Sequence, residues 1–380
     1  MHILISPNAF KNSLNAEEAA CAIKEGFLQS NLLCTCECFP IGDGGDGTGD
    51  LIVKKFQGIS IVTEVHDPLG RSVQATFGLI DSDKTAIIEM ANASGLRLLQ
   101  HSERDPLHST SFGTGEQIRI ALDKGVTKII IGMGGSATVD GGTGILQALG
   151  VRFLNSLEEE LAGLPETLAQ LSHIDTSMID RRIFNCEIIV LCDVHNLLLG
   201  EEGSAAVYGP QKGASPDVVI KLESSLKQFA KVIFQQTGRD ISIIKYGGTA
   251  GGAAAGLYAF LNAKLVNGIS YFLQLTGFEK ALEKTNLVVT GEGSIDEQTL
   301  QGKGPFGVAF QAKLKGLPVI ALAGKVPPAK SINLQKYFDV LLPIGNEPLD
   351  MKTALASTAT NLKRTSKEIG NLLSLLKQGE

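Results

Sequence analysis

A glycine-rich segment, GMGGSATVDGG at residues 132–142, combines small residues with hydroxyl groups and an acid. Glycines let a backbone approach a phosphate group closely, and N–H groups at a helix N-terminus bind anions. Asp140 is suited to hold Mg²⁺, directly or through water. A tight strand-to-helix turn without a ligand is the alternative. The predicted cofactor-binding positions are Gly132, Gly134, Gly135, Ser136 and Thr138, with Gly291 and Gly293 of a later segment.

Carboxylates among glycines also occur at residues 42–48, where the sequence is GDGGDGT. Asp43 and Asp46 are candidates to ligate Mg²⁺ or to place a carboxylate against a substrate. The spacing is not that of an EF-hand, because no glutamate follows at the twelfth loop position. A plain glycine-rich turn is the alternative. Together with Asp140, these two aspartates form the predicted set of metal ligands.

Two segments that follow predicted strands carry further acids. Asp193 ends a buried apolar run, where a carboxylate is costly unless it has a task or a partner, so we predict a general base for a substrate hydroxyl. The segment TGEGSIDEQT contains Glu292 and Asp296, and Lys303 follows in GKG. An acid with a lysine suits phosphoryl transfer, so we predict catalytic roles for Asp296 and Lys303. A helix cap and a surface loop are the respective alternatives.

Single cations in loops complete the candidate set. Lys11 follows the first predicted strand, Arg71 lies in DPLGR and Lys212 lies in GPQKG. Arginine can bind a carboxylate through two parallel hydrogen bonds. We predict that Lys11 or Lys303 offsets charge on a transferred phosphoryl group, and that Arg71 or Lys212 holds a substrate carboxylate. Each cation taken alone is equally typical of a surface charge.

Short, β-branched apolar runs must position these residues, since strands of a sheet that is covered on both faces have this pattern. The predicted strands are residues 3–6, 86–90, 128–132, 187–193, 287–291, 317–324 and 338–344. The predicted helices are residues 15–29, 114–124, 222–236 and 351–377, the first two with capping boxes at Asn15 and Thr114. Ligands of such α/β sheets gather at the carboxyl ends of the strands.

The alternation of strands and helices predicts two α/β domains with mainly parallel sheets and a Rossmann-like element. The first strand and the last two can share a sheet, which would make one domain discontinuous. The expected domains are 1–75 plus 285–380, and 76–284 with the GMGGSAT loop. A GxGxxA pattern in that loop keeps a NAD-dependent dehydrogenase of a small hydroxy acid as the alternative function, although no acid ends the next strand as such a site requires.

Composition and charge exclude several classes of protein. The net charge is −6 and no basic run occurs, which argues against a nucleic-acid partner. The first residues lack the basic region of a signal peptide, and the apolar stretch at 247–266 is too rich in small residues for a membrane span. Cys34, Cys36 and Cys38 indicate reduced thiols near a strand rather than a soft-metal site. We expect a cytoplasmic protein that binds small molecules, with a homo-oligomer left open.

In their order along the chain, these motifs resemble those of the bacterial glycerate kinases of the type-1 family. The resemblance covers residues 1–325 and rests on segments such as SPNAFKNSLNA, PIGDGGDGT, GMGGSATVDGG and TGEGSIDEQTLQGK. It implies two α/β domains with the active site in the cleft between them, Mg-ATP as donor, D-glycerate as substrate, and 2-phosphoglycerate rather than 3-phosphoglycerate as product. The chain departs from the family's usual Asp, Ser and Arg at Asn8, Ala9 and Ser294.

The resulting hypothesis is a direct, in-line transfer of a phosphoryl group from ATP to a hydroxyl group of glycerate. Asp193 or Asp296 takes the hydroxyl proton, the GMGGSAT backbone binds phosphate, and Mg²⁺ bridges the terminal phosphates. A protein that binds these metabolites without turnover is a further alternative, and thermal stabilisation by a nicotinamide cofactor would distinguish the dehydrogenase.

Overall fold

The buried apolar runs form strands, most of them close to the predicted positions. The strands in chain order are β1 (His2–Pro7), β2 (Thr35–Cys38), β3 (Ile59–His66), β4 (Ser72–Ile80), β5 (Thr85–Glu89), β6 (Lys128–Gly132), β7 (Arg152–Leu154), β8 (His173–Asp175), β9 (Glu187–Cys192), β10 (Lys264–Asn267), β11 (Leu287–Ser294), β12 (Val319–Lys325) and β13 (Val340–Pro343). The structure, a computed structural model, describes residues 1–329 and 331–377.

Helices connect most of these strands. In chain order they are α1 (Ala16–Leu28), α2 (Thr48–Lys55), α3 (Met90–Ser94), α4 (Phe112–Asp123), α5 (Thr143–Ala148), α6 (Ser204–Tyr208), α7 (Pro216–Thr237), α8 (Ala253–Leu261), α9 (Gly268–Thr276), α10 (Phe278–Leu282), α11 (Gly304–Leu314), α12 (Ile332–Tyr337), α13 (Met351–Ala356) and α14 (Thr358–Lys377). Short 3₁₀ helices occur between them, including one at Glu297–Gln301.

The chain divides into two units, each with its own main sheet. Unit 1 consists of Met1–Asp43 and Ile269–Glu380, and unit 2 consists of Gly44–Gly268. Unit 1 is therefore built from two separate stretches of chain. The bounds expected from sequence differ from these, because residues 44–75 belong to unit 2 and residues 269–284 belong to unit 1.

Unit 1 contains a fully parallel sheet with the strand order β13–β12–β11–β1–β2. The first strand thus shares a sheet with the last two, as predicted. Ile3, Leu4 and Ile5 have no exposed surface, which is why β1 is an uninterrupted apolar run. Phe39 meets Phe278 of α10 edge to face with ring centroids 5.1 Å apart, and this contact ties residues 269–284 to unit 1.

Unit 2 contains a six-stranded sheet with the order β10–β9–β6–β5–β4–β3. Its first four strands are parallel, whereas β3 and β4 pair antiparallel from Ile59↔Leu79 to His66↔Ser72. That hairpin draws residues 59–66 into unit 2 and was not predicted, because β3 alternates exposed and buried positions instead of being continuously apolar. The predicted α/β class with mainly parallel sheets is confirmed.

Of the two predicted capping boxes, the one at the start of α1 is present and the one at the start of α4 is absent. At α1 the predicted box is present, because the Asn15 side chain accepts from the Glu18 N–H and the Glu18 carboxylate accepts from the Asn15 N–H. At α4 the prediction was wrong, since the N-cap is Ser111 and the Thr114 hydroxyl bonds inside the core. The stretch at 247–266 divides between α8 and β10, and within the described part of the chain no helix is long and apolar enough to cross a membrane.

Candidate functional site

Within unit 2, the later part of the GDGGDGT segment lies against the GMGGSAT segment. The Gly134 N–H donates to the Gly44 carbonyl at 2.9 Å, and a Cβ added to Gly134 would lie 2.4 Å from the Gly45 Cα. A Cβ added to Gly135 would lie 2.8 Å from the Asp46 carboxylate. Two motifs that are distant in sequence therefore meet beside the carboxyl ends of β5 and β6. Phosphate binding by the GMGGSAT segment stays a prediction. The Gly134 N–H would not take part in it, because this group already donates to the Gly44 carbonyl.

Asp140 occupies the N-terminus of α5, where an anion was expected. Its buried carboxylate accepts hydrogen bonds from the Ser111 N–H at 2.9 Å and the Ser111 hydroxyl at 2.6 Å. It also accepts from the N–H groups of Gly142 at 2.9 Å and Gly144 at 3.2 Å. Both carboxylate oxygens thus have protein donors, and these contacts favour a structural role for Asp140 over the predicted role as a Mg²⁺ ligand.

Lys212 is a buried cation of unit 2, with 4% of its surface exposed. Its Nζ donates to Ser136 Oγ at 2.9 Å and to the Thr138 carbonyl oxygen at 2.8 Å. Burial lowers the pKa of Lys212 to about 8, and the charges of Asp140 and Asp193 oppose that shift. The structure therefore brings together three predicted site residues, and the ammonium group is held by two neutral acceptors rather than by a carboxylate.

Asp193 follows β9 and is half-buried, within electrostatic range of Lys212. Burial and the charge of Asp193 raise the pKa of Tyr208, whose hydroxyl donates to Asn196 Oδ1 at 2.6 Å. Burial and the charge of Lys245 also lower the pKa of His195. A carboxylate and an ammonium group thus lie beyond the carboxyl ends of β6 and β9, which is where α/β sheets bind ligands.

Arg71 is engaged by two carboxylates of unit 2. Its Nε lies 2.6 Å from Asp67 Oδ2 and its Nη1 lies 2.7 Å from Glu103 Oε1, while 49% of the side chain is exposed. A substrate carboxylate would have to compete with both of these partners. Of the two predicted carboxylate-binding cations, the contacts therefore favour Lys212 over Arg71.

Glu89 was not predicted to be a site residue. It lies at the end of β5, beside the start of α2. Its Oε1 accepts from the Gly49 N–H at 2.7 Å, in the first turn of α2, and 6% of its surface is exposed. Burial raises the pKa of Glu89 to about 7, and the charges of Asp50 and Asp46 add to the shift. The available signal was an acid placed directly after an apolar run.

The acidic side chains of the site differ from a preformed metal centre. Within residues 1–329 and 331–377, no group of three or more His, Cys, Asp or Glu side chains is arranged to hold a metal, and the six cysteines are free thiols. Mg²⁺ in phosphate sites commonly takes one or two carboxylates, with the rest of its ligands from water and phosphate. The charges of Asp46 and Asp50 act on Glu89, and one or two carboxylates from this region suit such an ion, so ligation by Asp46 stays a prediction.

In unit 1, Asp43 acts at a helix start. Its Oδ2 accepts from Asn8 Nδ2 at 2.9 Å and from the N–H of Gly304, the first residue of α11, at 3.3 Å. A carboxylate at this position is stabilised by the unpaired N–H groups of the first helical turn. Asn8 thereby positions Asp43, and these contacts favour a structural role over the predicted metal ligation.

Glu292 lies in β11 near Lys303, with 9% of its surface exposed. The Thr299 hydroxyl donates to Glu292 Oε1 at 3.1 Å. Burial raises the pKa of Glu292 to about 7, Lys303 and Lys11 oppose the shift, and Asp43 adds to it. The predicted cations Lys11 and Lys303 therefore both act on Glu292, an acid for which no catalytic role was predicted, rather than on the predicted base Asp296.

Asp296 serves as the N-cap of the 3₁₀ helix Glu297–Gln301. Its Oδ1 accepts from the Gln298 N–H at 2.9 Å, and its own N–H donates to a threonine hydroxyl. This local use favours a cap over the predicted catalytic base. Gly291 and Gly293 lie in β11, where a Cβ on Gly291 would lie 2.2 Å from a carbonyl oxygen of β12, so sheet packing already requires that glycine.

Comparison with known proteins gives matches over nearly the whole chain. Residues 3–374 match the model of the glycerate kinase family. The glycerate kinase of Bacillus subtilis (strain 168) is 41% identical over 99% of each chain, and the glycerate 2-kinase of Escherichia coli (strain K12) is 40% identical over 99% of this chain and 98% of that protein. A crystal structure named as glycerate kinase 2 from Salmonella typhimurium LT2 has a TM-score of 0.84 at 41% identity, covering 100% of this chain and 99% of the other.

Proposed function

The chain belongs to the glycerate kinase family and is a phosphotransferase that acts on an alcohol group, and we propose that it transfers the terminal phosphoryl group of ATP to a hydroxyl group of D-glycerate. Both substrates are anions, whereas the protein carries a net charge of −6, so recognition has to rely on a few placed cations. The matched relatives give the dehydrogenase alternative no support.

Lys212 is the observation that supports this proposal most directly. An ammonium group has three N–H donors, and two of them bond to Ser136 and Thr138. The third donor is available in chemical terms to a substrate carboxylate, because the two hydrogen bonds that the ammonium group makes within the described residues go to neutral oxygens. We assign Lys212 to the glycerate carboxylate, with Ser136 orienting the ammonium group.

Asp193 is the carboxylate that we assign to the hydroxyl proton of glycerate. Its charge acts on Lys212, so one substrate with a carboxylate and a neighbouring hydroxyl suits the pair. Asp193→Asn is expected to lower kcat by about 10²–10⁴-fold, the range typical of a lost general base. Asp217→Asn, on the exposed first turn of α7, is the matched control, and near-normal turnover by Asp193→Asn would remove Asp193 from this role.

The phosphate groups of the nucleotide are assigned to Lys11 and Lys303 of unit 1. Both lysines act on the same buried carboxyl group, which places their charges in one neighbourhood beyond β1 and β11. A lysine there offsets charge that develops on a transferred phosphoryl group. Asp46, one of the predicted metal ligands, would hold Mg²⁺, which when bound supplies neutralisation of phosphate charge.

The product is proposed to be 2-phosphoglycerate, with 3-phosphoglycerate as the alternative. The test is to incubate the protein with Mg-ATP and D-glycerate, to measure ADP release, and to record the ³¹P NMR spectrum of the product. A phosphorus coupled to one carbon-bound proton indicates the 2-phosphate, and a phosphorus coupled to two indicates the 3-phosphate. ATP binding without ADP release would contradict the kinase assignment for glycerate and would call for other hydroxy acids.

A further inference from the structure

Glu292 is a buried carboxyl group that the reaction as assigned above does not use. Four neighbouring segments present polar groups to it: Lys11 comes from the loop after β1, Asp43 from the loop after β2, Thr299 from the 3₁₀ helix, and Lys303 from the start of α11. The Lys303 N–H donates to the Thr299 carbonyl at 3.2 Å, and the adjacent Gly304 N–H donates to Asp43 Oδ2 at 3.3 Å. The Thr299 hydroxyl is its neutral hydrogen-bond donor at 3.1 Å. Two ammonium groups and two carboxyl groups thus share one end of the unit 1 sheet.

In this arrangement an ionised Glu292 would repel an anion that binds to the two lysines. An ionised Glu292 offsets part of the positive charge of Lys11 and Lys303, and a phosphate brought to the lysines would also face the negative carboxylate. A protonated Glu292 removes that repulsion and still accepts the hydrogen bond from Thr299. Burial already raises the pKa of Glu292 to about 7, so protonation requires little free energy near neutral pH.

We propose that Glu292 is a positioning residue that takes up a proton when nucleotide phosphate binds at Lys11 and Lys303, so that both ammonium groups act on the phosphate alone. This inference rests on the proposed function, which assigns the nucleotide phosphates to these two lysines. The carboxylate gains a proton from solvent, and no covalent bond of the substrate changes in this step. Because binding and protonation are linked, each must favour the other by the same factor.

The linkage has a measurable size. If bound phosphate raises the pKa of Glu292 by one unit, the Kd for nucleotide increases about tenfold between the pH range below 7 and the range above 8. Over that window the protein takes up a fraction of a proton for each nucleotide bound. Below the window Glu292 is already protonated in the free protein, so uptake vanishes.

The experiment is isothermal titration calorimetry of ADP into the full chain at pH 8, in two buffers of different ionisation enthalpy. The dependence of the observed heat on buffer gives the number of protons taken up. At this pH a phosphate ester is already ionised, since its second pKa is about 6. Glu292→Gln keeps an acceptor for Thr299 but cannot titrate, and Glu297→Gln removes the same charge from an exposed position of the nearby 3₁₀ helix.

Proton uptake by the wild type and by Glu297→Gln, with loss of uptake in Glu292→Gln, is the expected result. ADP binding by the wild type without uptake, or uptake that persists in Glu292→Gln, overturns this inference and leaves the proposed function standing. Absence of ADP binding by the wild type overturns both. If Glu292→Gln does not fold, the wild type decides alone, because a Kd for ADP that is constant from pH 6.5 to 8.5 contradicts the linkage.

Discussion

Replacing Glu292 by glutamine is expected to stabilise the protein at pH 8 and to change its stability little at pH 5. The carboxyl group has its pKa raised from 4.5 to about 7 in the folded protein. Between these values the folded state keeps a proton that the unfolded state has released. The free energy of unfolding therefore falls as pH rises, by up to about 1.4 kcal/mol per pH unit.

The magnitude follows from the width of that window. A shift from 4.5 to about 7 corresponds to a loss of about 3 kcal/mol, complete above pH 7 and absent below pH 4.5. Glutamine has the shape of the protonated glutamate and avoids this loss at every pH. For a unit of this size the difference amounts to roughly 6–12 °C in Tm at pH 8.

Thermal unfolding of the wild type, Glu292→Gln and Glu297→Gln at pH 5 and pH 8 measures the effect. The control residue Glu297 is exposed, so its variant is expected to follow the wild type at both values of pH. An equal Tm for the wild type and Glu292→Gln at pH 8 would refute the reasoning, because it would mean that burial imposes no free-energy loss on the ionised carboxylate.

Three further substitutions separate ligand binding from structure. Lys212→Met is expected to lower kcat/KM for D-glycerate by about 100-fold or more, because a charged partner of the substrate is lost, and ADP-release assays with exposed Lys227→Met as control measure this. Asp140→Asn should lower the free energy of unfolding by about 2–3 kcal/mol in denaturant titrations, because hydrogen bonds to a charged acceptor are weakened. The same variant should leave the Mg²⁺ concentration for half-maximal activity unchanged. Arg71→Gln should change kcat/KM by less than about threefold in the same assay, since its ion pairs are half exposed, and a larger loss would restore Arg71 as a substrate ligand.

The parallel part of the fold could be predicted because buried strands of a two-sided sheet are continuously apolar. β1, β6, β9 and β11 all have that pattern, and each lies near its expected position. The β3–β4 hairpin escaped prediction because the edge strand β3 and the first part of β4 alternate exposed and buried residues. The start of α7 was placed too late, although Ser215 and Pro216 form a recognisable N-cap and first turn.

The candidate site was predicted only in part. The loops that carry Lys212 and Ser136 were recognised separately, and their contact at 2.9 Å depends on how β6 and the chain after α6 fold together. Asp296 was predicted to be catalytic in preference to Glu292, although both acids follow the same apolar run. Packing makes Glu292 buried and uses Asp296 as a cap.

Local sequence is enough to show which residues occur at strand ends, where glycine permits close approach, and which fold class the apolar runs support. Tertiary structure alone decided the chemical state of the acids and cations. Asp140 became an anchor for backbone N–H groups, whereas Glu89 and Glu292 became carboxyl groups that titrate near neutrality. The reason is physical: a pKa depends on desolvation and on neighbouring charges, and both are set by residues that are distant in sequence.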